Sequence, residues 1–537
     1  MKKYFLENKW QIFMMSFCNF IYIVAIAGMP FITKSLFDYD FSQGVNGVIW
    51  IIVAYLVAAM TGMLAQYGTQ VYGWRIERDC NISLRHDVFS TIVSCDYQEF
   101  SKESVSHYVS LLDNDVEVVV KQYFFNLLEM IQQMIQVLVY GVYLFLLDYR
   151  IAIVIMLMCC LTVKIPQTTG PELSRRKKAH QRGMGNYMKV VNDLFLGFKS
   201  INHQTREAII NRQDETLKET EALMYHFGTY RAFDIVLRGA SMYMVNIVSY
   251  ATLGFLFLLK QITKGDGAAA LQYITEFCYP VSYLLELYSD IRSARGVKDH
   301  LMQLIDEASS AQSEVYVNFK EGIEFKDVVV NYEDFQLGPI NLRFEKGKKY
   351  ALTGHSGSGK STVLNLLMQY NSFEQGEILI DGIPLHQLSS TSMMMCLNQT
   401  EHLFLGSFLE NISVYQSYDV SELETMIRTS DCERLRQVSD KESCAGLSGG
   451  EKQVVNLVKS LMSQKSILLL DESFSALDAR TKQKMYDLIY EQEDKLIIAV
   501  THDLSDEHLK KFDEIILFDQ GTIKKQGLYH GINRDEN

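Results

Sequence analysis

A helical domain that crosses a membrane several times, followed by a parallel α/β domain, is the fold class predicted by three observations. Long apolar stretches with few charges fill the chain before about residue 312, and several approach the roughly 20 residues that a helix needs to cross a bilayer. After that point, short apolar strands alternate with charged helices and turns. Residues 354–362 read Gly-His-Ser-Gly-Ser-Gly-Lys-Ser-Thr, a full G-x-x-x-x-G-K-[ST] phosphate loop. At 537 residues the chain is too long for one ordinary domain. The predicted division is 1–312 for the membrane domain and 313–537 for the α/β domain.

Composition narrows the partners. The net charge of -13, without a basic stripe interleaved with aromatics, argues against nucleic acid. The nine cysteines form no C-x-x-C pair and no zinc spacing with histidine, and read as scattered small hydrophobes in a reducing compartment. Lys2 and Lys3 precede an apolar run that continues to about Ile32 with no small-residue cleavage site, which predicts a retained span rather than a signal peptide.

Six spans are expected, near 10–33, 46–68, 122–147, 149–166, 236–260 and 267–290, the fourth having the shortest uninterrupted apolar part. Basic residues orient them. Lys2, Lys3 and Lys9 come before the first span, Arg75, Arg78 and Arg85 follow the second, and Arg175, Arg176, Lys177 and Lys178 follow the fourth. The turns at Asp38-Tyr39-Asp40 and Asp148-Tyr149 are short or acidic. By the positive-inside bias both termini and the phosphate loop face the cytosol, and the expected location of this multi-pass protein is a bacterial plasma membrane. The amphipathic segments 69–121 and 167–235 must then project into the cytosol, where twenty helical residues reach about 30 Å.

In the α/β domain, the strand Tyr350-Ala351-Leu352 leads into the loop and an apolar helix from Val363 to Met368 follows. Gly354, Gly357 and Gly359 allow successive backbone N–H groups to curl around a polyphosphate, and the helix opening at Lys360, Ser361 and Thr362 adds its positive end. Lys360 would reach the β- and γ-phosphates, and Ser361 would ligate Mg2+. A second buried strand, Ser466 to Leu470, ends in Asp471-Glu472. Asp471 can hold Mg2+ through water, and Glu472 is placed to act as general base on the attacking water. An acidic pair there can also cap a helix, a reading weakened by the phosphate loop.

Between these motifs lies Leu447-Ser448-Gly449-Gly450-Glu451-Lys452-Gln453, and here the chain resembles the ATP-binding cassette (ABC) transporter family. The resemblance covers the α/β half. It implies a P-loop NTPase domain of the ABC type with a helical subdomain, binding ATP and Mg2+. It makes Tyr332 the residue stacked on adenine, although an aromatic there can simply pack. It makes Gln399 the glutamine that joins Ser361 and Asp471 at the metal and takes part in catalysis. Ser475-Ala476-Leu477-Asp478 resembles the D-loop, which places Asp478 at the nucleotide, and Thr501-His502-Asp503 resembles the switch that brings His502 to the γ-phosphate. The Ser448-Gly449-Gly450 turn opens a helix as a second anion-binding N-terminus that cannot fold back onto its own phosphate loop. In this family Ser448 of one cassette covers the γ-phosphate held by another, so the implied partner is a second half-transporter, identical or not.

The membrane half resembles exporter-type half-transporters, with Phe100-Ser101-Lys102-Glu103 and Leu112-Asp113-Asn114-Asp115-Val116 in the first cytosolic loop. Asn192-Asp193-Leu194, Gly197-Phe198-Lys199-Ser200-Ile201 and Glu207 resemble the second. Coupling helices are implied near 95–104 and 201–212, the second reaching the partner's cassette. Lys441-Glu442-Ser443-Cys444-Ala445-Gly446 departs from the acidic-glycine pattern of many exporters, and the stretch from Gln399 to Leu447 is short, which implies a trimmed helical subdomain. No peptidase-like cysteine domain precedes the first span, so leader cleavage is not expected.

The cargo is written less clearly. Glu276, Tyr279, Tyr283, Glu286 and Asp290 share one helix face. Glu129, Gln132, Gln133 and Gln136 add polar groups from the third span, and Asp234, Tyr243, Asn246 and Tyr250 from the fifth. Ionisable groups at bilayer depth usually face a cavity. An acidic, tyrosine-lined lumen suits export of a peptide or other amphipathic, cationic compound, unless these groups pair with Arg238 or mark a water-filled vestibule. The alternatives are a lipid or drug exporter, a siderophore importer with an exporter fold, and an ATP-dependent membrane sensor or immunity protein.

Overall fold

The structure, a computed structural model, describes residues 1–308, 318–332, 335–398, 402–416, 420–430 and 432–528. The chain divides into two compact units, Met1–Ser94 with Ser104–Ser310, and Cys95–Glu103 with Ala311–Asn537. The expected boundary at 312/313 and the glutamine Gln399 lie outside the described residues.

The first unit is helical. Its long helices are α1 (Lys9–Phe37), α2 (Asn46–Ser94), α3 (Val105–Leu147), α4 (Tyr149–Leu196), α5 (Arg206–Leu258) and α6 (Lys264–Ala308). One helix runs through each expected span. Helices α2, α4 and α5 are 49, 48 and 53 residues long, about 70–80 Å at the α-helical rise. The expected cytosolic projections are therefore continuations of the spanning helices. Among the described residues, α1, α2, α3 and α5 are long and apolar enough to cross a membrane by composition, while α4 is apolar over Tyr149–Cys159. The face of α6 that carries Glu276, Glu286 and Asp290 interrupts its apolar run. Large apolar side chains such as Trp50, Leu64, Leu138 and Phe255 point outward, as lipid-facing residues do. The helical path of α3 widens into π-type turns over Leu111–Asp115 and Val118–Phe125.

The acidic turns between spans act as caps. Asp148 accepts from the backbone N–H groups of Arg150 and Ile151 at 2.8 and 3.4 Å, opening α4. Asp38 accepts from Gly265 N at 2.9 Å and from the Thr263 hydroxyl at 2.7 Å, and Lys34 pairs with Asp266 at 2.6 Å, so the end of α1 is tied to the start of α6. Asp234 follows the alternative to a cargo-facing role, pairing with Arg238. Its buried carboxylate accepts from Thr169 on α4 and pairs with Arg238 Nε at 2.8 Å, so it clamps α5 to α4.

The second unit holds two sheets. An antiparallel sheet runs β2-β1-β4-β5, with β1 (Gly322–Tyr332), β2 (Phe335–Glu345), β4 (Gln375–Ile380) and β5 (Ile383–Pro384). The larger sheet runs β10-β9-β3-β8-β7-β6, from β3 (Lys349–Gly354), β6 (Met394–Leu397), β7 (Ile467–Asp471), β8 (Leu496–Val500), β9 (Glu514–Asp519) and β10 (Thr522–Gly527). Strands β9, β3, β8, β7 and β6 are parallel. Both faces of β7 and β8 are covered, which explains their unbroken apolar runs. Ile467 and Leu469 face one core with α7 (Lys360–Leu367), whereas Leu468 and Leu470 face the other. The second core collects α8 (Phe408–Ser413), α9 (Val420–Thr429), α10 (Glu433–Ser439), α11 (Gly449–Met462) and α12 (Ala479–Tyr490). Helices α8 to α10, of six, ten and seven residues, make up the helical subdomain.

Candidate nucleotide site

Register places the site. Leu352 of β3 pairs with Val500 of β8, and Val500 pairs with Asp471 of β7, so three parallel strands end together. Side chains following those ends meet in the crevice at the carboxyl edge of the sheet. The phosphate loop leaves β3 there, Asp471-Glu472 leaves β7, and Thr501-His502 leaves β8.

Backbone shape dictates glycine in the loop. Gly354 has φ +137°, and a Cβ on it would lie 2.2 Å from the Phe518 carbonyl oxygen; Gly359 has φ +101°, and its Cβ would lie 2.4 Å from Leu337 Cδ1. Neither position admits a side chain. Gly357 also has a positive φ. Helix α7 begins at Lys360, with Ser361 and Thr362 half-buried in its first turn.

Lys360 is 5% exposed, and its Nζ donates to the Gly354 and His355 carbonyl oxygens at 3.0 and 2.8 Å. Burial pulls its pKa below the usual lysine value, against the nearby Glu472 and Asp471 carboxylates. A buried ammonium held by two carbonyls within the loop, its hydrogen-bond partners among the described residues, is suited to an arriving anion. The buried Ser358 hydroxyl in the same loop has no hydrogen-bond partner among the described residues, a further polar group open to a ligand.

Ser361 donates to Asp471 Oδ1 at 3.0 Å. Burial raises the Asp471 pKa, and the adjacent Glu472 adds to the rise, while the Ser361 bond opposes it. These two hard oxygens, with phosphate oxygens and water, are a donor set that fits Mg2+, which retains waters rather than demanding an all-protein cage. Glu472 Oε1 lies 2.8 Å from His502 Nε2. Its backbone has φ +47°, an uncommon conformation for a non-glycine residue, fixed in part by its N–H bond to the Val500 carbonyl at 3.2 Å. Such strain costs on the order of 1–3 kcal/mol and is typical of functional positions. Here it turns the Glu472 side chain toward His502 and away from the path of β7.

Tyr332 ends β1, is 44% exposed, and its hydroxyl accepts from Asn371 Nδ2 at 2.8 Å. Its ring lies 6.2 Å from that of Phe335. Phe335 in turn lies 3.5 Å from the Cβ position of Gly359. The aromatic pair therefore borders the phosphate loop, and Phe335 is a neighbour that sequence reasoning missed because its only local signal is membership of a strand.

Ser448 and Asp478 form a second constellation. Ser448 caps α11 in a reciprocal box with Glu451: its Oγ accepts from Glu451 N at 3.4 Å, and Ser448 N donates to Glu451 Oε2 at 2.8 Å. Lys441, bonded to Glu451 at 2.6 Å, and then Ser448 hold the Glu451 carboxyl down to about 2. Asp478 caps α12 by accepting from Thr481 N at 3.0 Å. That bond, with a smaller contribution from Arg434, lowers its pKa to about 2. Gly449 and Gly450 form the first turn of α11, and a Cβ on Gly450 would lie 2.7 Å from the Ala476 carbonyl oxygen. Ser448 and Asp478 line one cavity of ≈ 410 Å³, whose lining among the described residues includes none of Lys360, Ser361, Asp471, Glu472 or His502. The chain thus brings together five of the expected nucleotide residues at one edge and holds Ser448 and Asp478 in another group.

The comparisons agree with this architecture. The family model for the ABC transporter transmembrane region matches residues 12–281, and that for the ABC transporter cassette matches 337–475. An ATP-dependent lipid A-core flippase of Haemophilus influenzae is 22% identical over 94% of this chain and 89% of its own length. A probable multidrug resistance ABC transporter ATP-binding/permease protein of Bacillus subtilis is 25% identical over 94% of this chain and 77% of its own. The solved structure of a bacterial Atm1-family ABC exporter with ATP bound superposes with a TM-score of 0.82 at 20% identity, over 99% of this chain and 97% of that one. With a helical transmembrane region fused ahead of one ATP-binding cassette, the chain belongs to the ABC transporter family as an exporter-type half-transporter, an integral membrane ATPase that couples ATP to movement of a substrate.

Proposed function

We propose that two copies of this chain, or this chain and a related one, act head to tail in a bacterial plasma membrane with both termini in the cytosol. ATP bound between the cassettes drives export of an amphipathic, cationic compound. The observation that supports this reading most is the separation of the site into two groups. Lys360, Ser361, Asp471, Glu472 and His502 converge at one sheet edge, while Ser448 and Asp478 present a second anion-binding face elsewhere on the cassette.

In the proposed cycle, Tyr332 stacks on adenine, and the backbone N–H groups from Gly354 through Thr362 surround the phosphates. Lys360 exchanges its two carbonyl partners for β- and γ-phosphate oxygens. Ser361, Asp471 and Gln399 are the residues that would hold Mg2+, which neutralises charge on the phosphate oxygens. Glu472 takes the proton of the attacking water as its oxygen bonds the γ-phosphorus and the bond to the β–γ bridging oxygen breaks. His502 fixes the Glu472 carboxylate and contacts the γ-phosphate, which Ser448, Gly449 and Gly450 of the second chain cover, with its Asp478 alongside.

Coupling to the membrane helices is supported at the first loop. The segment Cys95–Glu103 belongs to the cassette unit, where the Tyr97 and Tyr370 rings are 4.3 Å apart and Gln98 Nε2 donates to the Gln369 carbonyl at 2.9 Å. The loop near 201–212 is assigned to the second chain's cassette on the family resemblance alone.

The cargo reading rests on α3 and α6. Tyr279 and Tyr283 stack at 5.7 Å, Tyr283 lies near Glu129, and Tyr140 near Glu276. Stacked tyrosines beside carboxylates suit a cationic group attached to an apolar body. The names of the lipid and multidrug relatives favour a lipid-like or drug-like compound over a peptide. ATP-dependent uptake of such a cation into inside-out vesicles tests this, compared with Glu276→Gln/Glu286→Gln. A loss of about tenfold in transport with basal ATPase retained is expected, since the carboxylates act only on cargo. Unchanged transport sinks the acidic-lumen reading, and uptake from the opposite face or no uptake at all favours an importer or a sensor.

A further inference from the structure

One side chain joins the two turns that the second chain must meet. Arg434, on α10 of the helical subdomain, donates from Nη1 to Asp478 Oδ2 at 2.8 Å and from Nη2 to Ser448 Oγ at 3.5 Å. Its guanidinium crosses the first turn of α11, where a Cβ on Gly450 would lie 3.1 Å from Nη2, so the bare glycine makes room for it.

The Asp478 carboxylate divides its work. Oδ1 caps α12 through Thr481 N, and Oδ2 takes Arg434. On the inner side, a second tie runs in parallel: Gln453 Oε1 accepts from Ala476 N at 2.9 Å, and Gln453 Nε2 donates to Ser475 Oγ at 3.2 Å. Helix α11 and the Ser475–Asp478 turn are therefore held on both sides, by buried Gln453 within and by Arg434 at the surface. A planar guanidinium can give one arm to each partner, which the single point charge of lysine cannot reproduce.

The bond is a poor device for stability. Arg434 keeps 29% of its side-chain surface exposed and Asp478 keeps 53%, and such pairs contribute little to folding. It is well placed for geometry, because Ser448 and Asp478 both line the ≈ 410 Å³ cavity, with Arg480 and Lys484 adding positive charge beside Arg434.

The geometry points to Arg434 as a positioning residue that locks the Ser448 turn and the Asp478 turn of one cassette into a single face, so that both engage the nucleotide held by the second chain together. This rests on the composite-site reading proposed above. Loss of the Arg434 tie leaves each turn able to form and the phosphate loop able to bind ATP, and leaves the inner Gln453 tie in place, but frees the outer edges that carry Ser448 and Asp478 to shift relative to each other.

The test measures ATP turnover against ATP concentration for the full chain in lipid vesicles. Arg434→Ala is expected to lower kcat about tenfold and raise KM several-fold, with thermal melting and binding of a non-hydrolysable ATP analogue unchanged; Arg434→Lys restores part of kcat, because one of the two arms remains. The double variant Arg434→Ala/Asp478→Ala is expected to match Asp478→Ala alone, as coupled partners do. Turnover within about twofold of the parent, or fully multiplicative losses in the double variant, overturns the proposal. A fall in melting temperature that tracks the fall in kcat and is equal in the lysine variant also overturns it, since folding alone would then explain the loss. In a Glu472→Gln background, Arg434→Ala should raise the ATP needed to trap a dimer by about tenfold. If Glu472→Gln alone traps no dimer, the composite-site reading fails, and the coupling between Arg434 and Asp478 is judged separately by the double variant.

Discussion

At the residue scale, Lys360 and His508 show two uses of burial. Lys360 is an ammonium kept from water and bonded to two loop carbonyls, so Lys360→Ala should weaken ATP binding by at least about tenfold, the usual scale for removing a charged contact. Equilibrium binding of a fluorescent ATP analogue measures it. His508 has no part in the chemistry. It stacks on Tyr486 at 4.1 Å, meets the Thr501 hydroxyl at 3.3 Å, and leaves Nδ1 buried without a partner. Burial lowers its pKa from 6.5 to about 4, with Lys482 and Lys511 adding to the fall and Asp503 opposing it. The folded state thus binds fewer protons than the unfolded state between these values. The contribution of His508 is fully present above about pH 6.5 and is lost as pH falls toward 4, by about 3 kcal/mol in all. Melting curves from pH 7.5 to 4.5 should show a slope that His508→Leu removes, and an identical slope in the variant would contradict the assignment. Lys360 was legible from its motif. His508 was not, because its partners Tyr486, Tyr490 and Phe512 come from α12 and from the turn before β9, and no spacing in the chain brings them together.

At the element scale, the strands that carry the site were the most legible part of the chain. Leu468 to Leu470 and Leu496 to Val500 are apolar throughout because each is covered on both faces, and a polar strand could not occupy that position. The loops between them were legible where backbone shape requires glycine. Gly354→Ala should therefore destabilise the cassette by several kcal/mol, since it combines a left-handed φ with a 2.2 Å approach to the Phe518 carbonyl; thermal melting of the full chain measures it. Less legible was the tie from α10 to α12, whose partners Arg434 and Asp478 lie 44 residues apart and carry no local pattern. The π-type turns of α3 were likewise hidden, because their composition does not differ from that of an ordinary helix. The short helix Tyr97–Phe100 lies between these extremes. Its docking partner, Tyr370, follows α7, the helix that opens at the phosphate loop. Tyr97→Ala should reduce cargo-stimulated ATPase several-fold while basal ATPase stays within about twofold, because it removes one aromatic contact and no catalytic group.

At the scale of the whole molecule, the membrane half was legible as hydropathy, but the roles of its polar groups were not. Asp234 was open between a lumen residue and a partner of Arg238, and it is a clamp between helices, because Thr169 and Arg238 reach it from α4 and from one turn along α5. Glu129 and Glu276 lie near tyrosines and remain on the faces assigned to cargo. Composition alone cannot separate these cases, since a paired carboxylate and a cargo-binding carboxylate have the same hydropathy. The whole-molecule account is that the membrane helices move only when ATP closes two cassettes and Glu472 then releases them. The most direct test is ATP turnover by Glu472→Gln in lipid vesicles, with retained nucleotide counted per chain. The account predicts turnover lowered at least about a hundredfold, the scale of a lost general base, with ATP held intact in a dimer; turnover at the rate of the parent chain would contradict it.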